Sequence, residues 1–215
     1  MKYTTLIFDF DGTLADTKTS ILTTVKKTQE VMNLKSANET EIVKRIGLPL
    51  KTTFEELYGL TSTELDTAIT LYRSMYDEVA LKTVTLFPEV YKTLQVFHNK
   101  GIKLTVASSK GKQSLVKLLE NLEVSEMISY IAGEQDVENK KPAPDLVFHI
   151  LKTIKDDSAN TLVIGDTKYD IQMGRSAGCS TCGVTYGNGT KQELETASST
   201  YVIDTFEKLR DIVMD

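Results

Sequence analysis

Four acidic residues in two short segments of the chain could act on a common substrate. Asp9-Phe10-Asp11-Gly12-Thr13 directly follows the apolar run Leu6-Ile7-Phe8, and Gly165-Asp166-Thr167-Lys168-Tyr169-Asp170 follows Thr161-Leu162-Val163-Ile164. Alone, two acids beside a glycine have the composition of a solvated turn. Two further segments change that reading. Ser108-Ser109-Lys110 follows the run Ile102–Ala107, and Lys141-Pro142-Ala143-Pro144 precedes a helical pattern. Each segment sits at the end of an expected strand or in a loop leading to a helix.

Gathered in one place, these groups make a coherent set. Asp9, Asp11, Asp166 and Asp170 would repel one another without a cation, and oxygen ligands with no Cys or His nearby favour a hard ion, Mg²⁺. Such an ion would also cancel the repulsion between a substrate phosphate and an attacking carboxylate. Lys141 offers a point charge for the phosphate and Ser108 a hydroxyl donor. Backbone N–H groups around Phe10, Asp11 and Ser109 could complete the cradle. The chemistry this suits is in-line attack of one carboxylate on phosphorus, followed by hydrolysis of the acyl phosphate, with a second carboxylate carrying protons. Asp9 ends its strand and has the more rigid backbone, so geometry prefers it as nucleophile and Asp11 as acid/base. The sequence alone leaves that order open.

The elements that must position these residues follow from periodicity. Apolar runs at Leu6–Phe8, Ile102–Ala107, Ile128–Ala132, Thr161–Ile164 and Tyr201–Ile203, with a weaker one at Cys182–Val184, predict buried strands. Helical stripes lie between them: Val90, Leu94 and Phe97; Leu115, Leu118, Leu119 and Leu122; Val147, Ile150, Leu151 and Ile154. Alternating strand and helix predicts an α/β fold, a doubly wound parallel sheet whose ligands gather at the carboxyl ends of its strands. From about Asp16 to Thr83 only helical signals occur, with Ile21, Val25 and Met32 on one stripe and a capping box at Thr61-Ser62-Thr63-Glu64. The expected division is a core domain of residues 1–15 and 84–215 with a helical cap domain at 16–83, placed as a lid. Asp16 reads as a helix cap.

The 215 residues are 40% hydrophobic and 26% charged, enough apolar mass for a real core. A net charge of −5 argues against a nucleic-acid partner. No segment is apolar for long enough to span a bilayer, so no membrane partner is expected and the cytoplasm is the expected location. Cys179 and Cys182 form a Cys-x-x-Cys pair in a Gly-rich segment entering a strand, with no second ligand pair. They read as small buried residues. His98 and His149 receive no chemical role, and a monomer is the default state.

The ordered set of Asp9-Phe10-Asp11-Gly12-Thr13, Ser108, Lys141-Pro142 and Gly165-Asp166 with Asp170 resembles the haloacid dehalogenase-like superfamily. Within it the chain is most similar to phosphoglycolate phosphatase-like members with a small helical cap after the first strand. The resemblance covers essentially the whole chain. It implies a phosphatase acting on a small phosphorylated metabolite with Mg²⁺ as cofactor. Asp9 would be nucleophile and metal ligand. Asp11 would be acid/base while lending its backbone carbonyl to the metal, Asp166 the third protein ligand, and Asp170 a support for the metal's water shell. Ser108 and Lys141 would bind the phosphoryl group, with Ser109, where many relatives carry Asn, contributing its backbone N–H. The segment Arg45-Ile46-Gly47-Leu48-Pro49-Leu50 resembles the cap loop that reaches the leaving group, which makes Arg45 a candidate substrate contact. Lys110 is a candidate to assist there, with a solvated surface lysine as the alternative reading. A phosphosugar mutase shares every core motif and differs in its cap. A phospho-receiver signalling domain uses similar groups but has no helical insertion after its first strand.

Overall fold

The computed structural model describes residues 1–214. The chain opens with β1 (Thr5–Phe8), the two-residue strand β2 (Ala15–Asp16) and four helices: α1 (Lys18–Val31), α2 (Glu39–Val43), α3 (Leu50–Tyr58) and α4 (Ser62–Thr83). There follow β3 (Thr85–Leu86), α5 (Val90–Asn99), β4 (Lys103–Ala107), α6 (Lys112–Asn121) and β5 (Ile128–Ala132). The remainder is α7 (Asp145–Ile154), β6 (Thr161–Gly165), α8 (Lys168–Ser176), β7 (Ser180–Val184), α9 (Lys191–Thr196), β8 (Tyr201–Ile203) and α10 (Leu209–Met214).

Six strands pair in parallel in the order β5-β4-β1-β6-β7-β8. This is the α/β sheet expected from the alternation of apolar runs and helical stripes. All four residues of β1 are buried, as a central parallel strand covered on both faces requires. Alternation along the strands divides the core. Leu6, Phe8, Leu104, Val106, Leu162 and Ile164 face the layer containing α5, α6 and α10, whereas Ile7 and Val163 face the layer containing α7 and α8. After β1 the chain builds outward through β4 and β5, then returns to place β6 on the other side of β1. The crevice at such a reversal is where ligands bind in open parallel sheets, and Asp9 emerges there.

The insertion is closed at its base by an antiparallel ribbon, with Ala15 opposite Leu86 and Asp16 opposite Thr85. Two residues a side carry no periodic pattern, so this ribbon has no sequence signature. Within the insertion, α1 and α3 both pack on α4, burying Val25, Phe54, Leu65, Ala68, Tyr72 and Tyr76. α4 also lies along α6 of the core, where Asp77 accepts from Ser114 Oγ at 2.8 Å and from Lys117 Nζ at 2.6 Å. The capping box expected at Thr61 does not form: α4 begins at Ser62, but the Thr61 side chain makes no capping hydrogen bond. Asp16 does accept from Lys18 N at 3.2 Å at the start of α1, one residue ahead of the N-cap Thr17.

Cys179 lies in the α7/α8 layer and Cys182 in the opposite one. Three residues of extended chain put the two thiols on opposite faces of the sheet, so they cannot share a ligand or a disulfide. Burial pushes both thiols up to about 12. At mildly alkaline pH, an aromatic disulfide reagent should therefore leave both thiols unlabelled in the native protein and label both in guanidinium. Rapid labelling of either thiol without denaturant would contradict this packing.

Candidate active site

Asp9 is the first residue beyond β1, and its N–H still donates to Ile164 O at 2.8 Å. That sheet-like bond fixes the backbone while the side chain turns into the crevice, where it is 4% exposed. The chain then makes a tight turn, with Gly12 N donating to Ala15 O at 2.9 Å. Gly12 has φ +89°, and a Cβ there would stand 2.2 Å from Asp166 Oδ2. Conformation and space both demand glycine. Gly165 likewise admits Asp170, whose Cβ would lie 2.2 Å from a Cβ at that position.

The carboxyl ends of β1, β4 and β6 bring the expected residues together. Lys141 Nζ, almost fully buried, bridges Asp9 Oδ1 and Asp170 Oδ1 at 2.6 Å each. Asp170 Oδ2 accepts from Thr167 N at 3.0 Å and Thr167 Oγ1 at 2.7 Å, the capping box of α8. Asp166 Oδ1 accepts from Thr13 Oγ1 at 3.3 Å, and its Oδ2 from Asn188 N at 2.6 Å and Asn188 Nδ2 at 3.1 Å. Ser108 is buried at the end of β4, and its Oγ accepts from Lys110 N at 3.2 Å. Ser109 turns the other way and donates its Oγ proton to Gly47 O in the cap at 2.8 Å.

Burial works against every charge here. It raises the Asp9 carboxyl well above the usual carboxylate range, with Lys141 opposing the shift. It also raises Asp166 to about 7, helped by the neighbouring Asp170. For Lys141, burial favours the neutral amine, but Asp170 and Asp9 outweigh it and hold the ammonium above its ordinary value.

Asp9, Asp166 and Asp170 each offer an oxygen within 4.8 Å of the others. Three buried carboxylates with one bridging ammonium leave about two negative charges to balance. Asp9 Oδ2 is fully buried and has no hydrogen-bond partner among the described residues. An oxygen-only donor set, a surplus of two negative charges and an orphaned acceptor together fit a hard divalent cation. The carboxylate of Asp11 lies outside this group.

Two further residues join the site. Lys110 is not a surface lysine. Its Nζ lies 3.2 Å from Asp11 Oδ1, donates to Tyr76 OH at 3.0 Å and sits 4.1 Å from the Tyr76 ring centroid. Despite burial, Asp11 and Tyr76 hold it protonated. Asn188 carries no charged-residue signal in the sequence, although it follows β7 in Gly187-Asn188-Gly189, a loop at the same sheet edge. Arg45 lines the cavity beneath the cap, but its guanidinium is already engaged by Glu56 Oε2 at 3.0 Å and by Glu41 O at 2.7 Å.

Comparison with known proteins gives this arrangement a context. Residues 6–184 match the family described as haloacid dehalogenase-like hydrolase. Pyrophosphatase PpaX of Oceanobacillus iheyensis is 33% identical over 215 residues, covering 100% of this chain and 99% of the relative. A phosphoglycolate phosphatase of Salmonella typhi is 27% identical, covering 94% of this chain and 89% of its own length. Among solved structures, a Bacteroides fragilis protein named as haloacid dehalogenase-like hydrolase superposes with a TM-score of 0.91 at 29% identity, covering 96% of this chain and 99% of that one.

If the acidic group takes a divalent ion, ligand linkage gives a direct check. Mg²⁺ at about a hundred times its dissociation constant should raise the unfolding free energy by about 2.7 kcal/mol. Asp166→Asn should remove that gain, as read by denaturant unfolding with and without Mg²⁺. An equal Mg²⁺ effect on both proteins would exclude Asp166 as a ligand.

Proposed function

The chain belongs to the haloacid dehalogenase-like hydrolases, and from that premise we propose that it is a Mg²⁺-dependent phosphomonoester hydrolase. In this reading it acts on a small phosphorylated metabolite through a phospho-aspartate on Asp9. Relatives named as phosphoglycolate phosphatase and pyrophosphatase support phosphatase chemistry. The observation that carries the mechanism is the asymmetry of the Asp9 carboxylate. Oδ1 is held by Lys141, while Oδ2 is buried and unpartnered.

A carboxylate held in place through one oxygen, with the other free of hydrogen bonds, suits an in-line nucleophile. Lys141 and the Ser108 hydroxyl would draw phosphoryl oxygens into line with Asp9. The bond from Asp9 oxygen to phosphorus forms as the bond to the leaving oxygen breaks. Asp11, two residues along the turn and facing the cap cavity, gives its proton to that departing alkoxide. In the second half it takes a proton from water, whose oxygen attacks the same phosphorus and releases inorganic phosphate and free Asp9. Asp9, the Asp11 carbonyl and Asp166 would hold Mg²⁺, with Asp170 supporting its shell. When bound, the ion supplies charge neutralisation between the carboxylates and the phosphate.

Lys110 belongs to this reading as the partner of Asp11, and Asn188 with Thr13 as the clamp on Asp166. The cap closes the leaving-group side, joined to the core through Ser109 and Gly47 and through the Arg73–Glu134 ion pair.

Asp9→Asn should abolish Mg²⁺-dependent release of phosphate from an aryl phosphate while leaving the far-UV spectrum unchanged. Asp11→Asn should slow release by about 10²–10⁴-fold, the usual contribution of a positioned acid/base. Undiminished turnover in a folded Asp9→Asn protein would remove the mechanism.

A further inference from the structure

Between cap and core lies a cavity of about 470 Å³ that reaches Asp11, Ser109 and Lys110. That is well inside the range of roughly 300–1,000 Å³ typical of pockets that bury a drug-sized molecule. The two-carbon remainder of phosphoglycolate would leave most of it to water. The cap wall is apolar and aromatic, formed by Ile21, Val25, Ile42, Leu50, Tyr72 and Tyr76. The two tyrosine rings stack at 5.4 Å with an interplanar angle of 17°.

The charges facing this cavity are balanced and already engaged. Its four cationic side chains are Arg45, Arg73, Lys110 and Lys112, and four carboxylates line it as well. Arg45 pairs with Glu56 at 3.0 Å, Arg73 with Glu134, Lys110 with Asp11 at 3.2 Å and Lys112 with Asp136 at 3.4 Å. A second anionic group on the substrate, whether carboxylate or phosphate, would meet cations whose charge a protein carboxylate already offsets, and gains less from them than from a free cation. The Tyr72 hydroxyl, in contrast, has no hydrogen-bond partner among the described residues and can serve an uncharged polar group.

We infer that the enzyme's substrate is a phosphomonoester of an uncharged, ring-bearing alcohol. The ring packs on the partly exposed cap residues Ile21 and Leu50, with its hydroxyls toward Tyr72. This rests on the phosphatase reading above and narrows it. Charge recognition is confined to the phosphoryl end, at Lys141 and the acidic cluster, and shape with neutral hydrogen bonding selects the rest. Substrates carrying a second anion, as the names of the relatives suggest for theirs, are disfavoured here.

The test compares kcat/KM for a nucleoside 5′-monophosphate and a hexose 6-phosphate with values for phosphoglycolate and pyrophosphate, all with Mg²⁺. At least one neutral-ring substrate should exceed both probes that carry a second anionic group by about tenfold or more, the discrimination expected when a charged group finds no free partner. Glu56→Gln, at a partly exposed position remote from the chemistry, releases Arg45 from its carboxylate. It should raise kcat/KM for phosphoglycolate by about three- to tenfold and leave the ring substrates unchanged. Tyr72→Phe should lower the ring substrates by about three- to tenfold and spare phosphoglycolate. Preference of the wild-type enzyme for phosphoglycolate or pyrophosphate overturns this inference while the phosphatase reading stands. Lack of turnover on every probe, with the protein folded, removes both.

Discussion

Asp9, Asp11, Asp166 and Asp170 are each at most 7% exposed, and like charges held so close together out of water repel one another strongly. Much of the local architecture answers that repulsion. Lys141 divides its ammonium between Asp9 and Asp170, and Lys110 stands against Asp11. The donors of Asn188, Thr13 and Thr167 fill most of the remaining carboxylate oxygens. The balance is still negative, which is why the site suits a divalent ion and an incoming phosphate as a pair. Removing one partner of such a buried ion pair typically costs about 3–5 kcal/mol, so the residues proposed to perform the chemistry also carry stability.

This constraint reaches into the backbone. Carboxylates can approach this closely only where glycine removes the side chain between them, as at Gly12 and Gly165. They stay put because each is anchored at a rigid place: Asp9 by its hydrogen bond to β6, Asp170 within the cap of α8, Asp166 at the end of β6. The cap then solves a different problem. It lines the cavity above Asp11 with apolar and aromatic side chains, and the cations facing that cavity are paired with carboxylates. In the proposed reading, charge recognises the phosphoryl end of the substrate and shape the rest.

The sheet was legible because its strands are continuous apolar runs, and the flanking helices because their stripes hold the 3.6 period. Leu6–Phe8 and Thr161–Ile164 needed no tertiary information. The β2–β3 ribbon was not legible, since two residues a side carry no pattern and only the closure of the insertion pairs them. At Thr61 a local signal for a capping box was present, but the side chain does not turn back onto the helix. Asp9, Asp166, Asp170 and Lys141 could be grouped from strand ends alone. Lys110 could not, because its partners Asp11 and Tyr76 come from the first turn and from α4, and their meeting depends on how the cap sits. Asn188 could have been found by the rule that found Asp166, had the loop after the weak strand Cys182–Val184 been weighed equally. Arg45 was placed correctly near the cavity, but only the fold reveals Glu56 beside it.

The central claim is that Asp9 carries the phosphoryl group between the two half-reactions. Mixing enzyme, Mg²⁺ and a phosphomonoester, quenching in acid within a turnover and mapping the digest by mass spectrometry tests it directly. The account predicts one added phosphoryl group on the peptide containing Asp9, labile to hydroxylamine and absent from Asp9→Asn. A phosphoryl group on any other residue, or turnover with no labelled protein at any quench time, would contradict it.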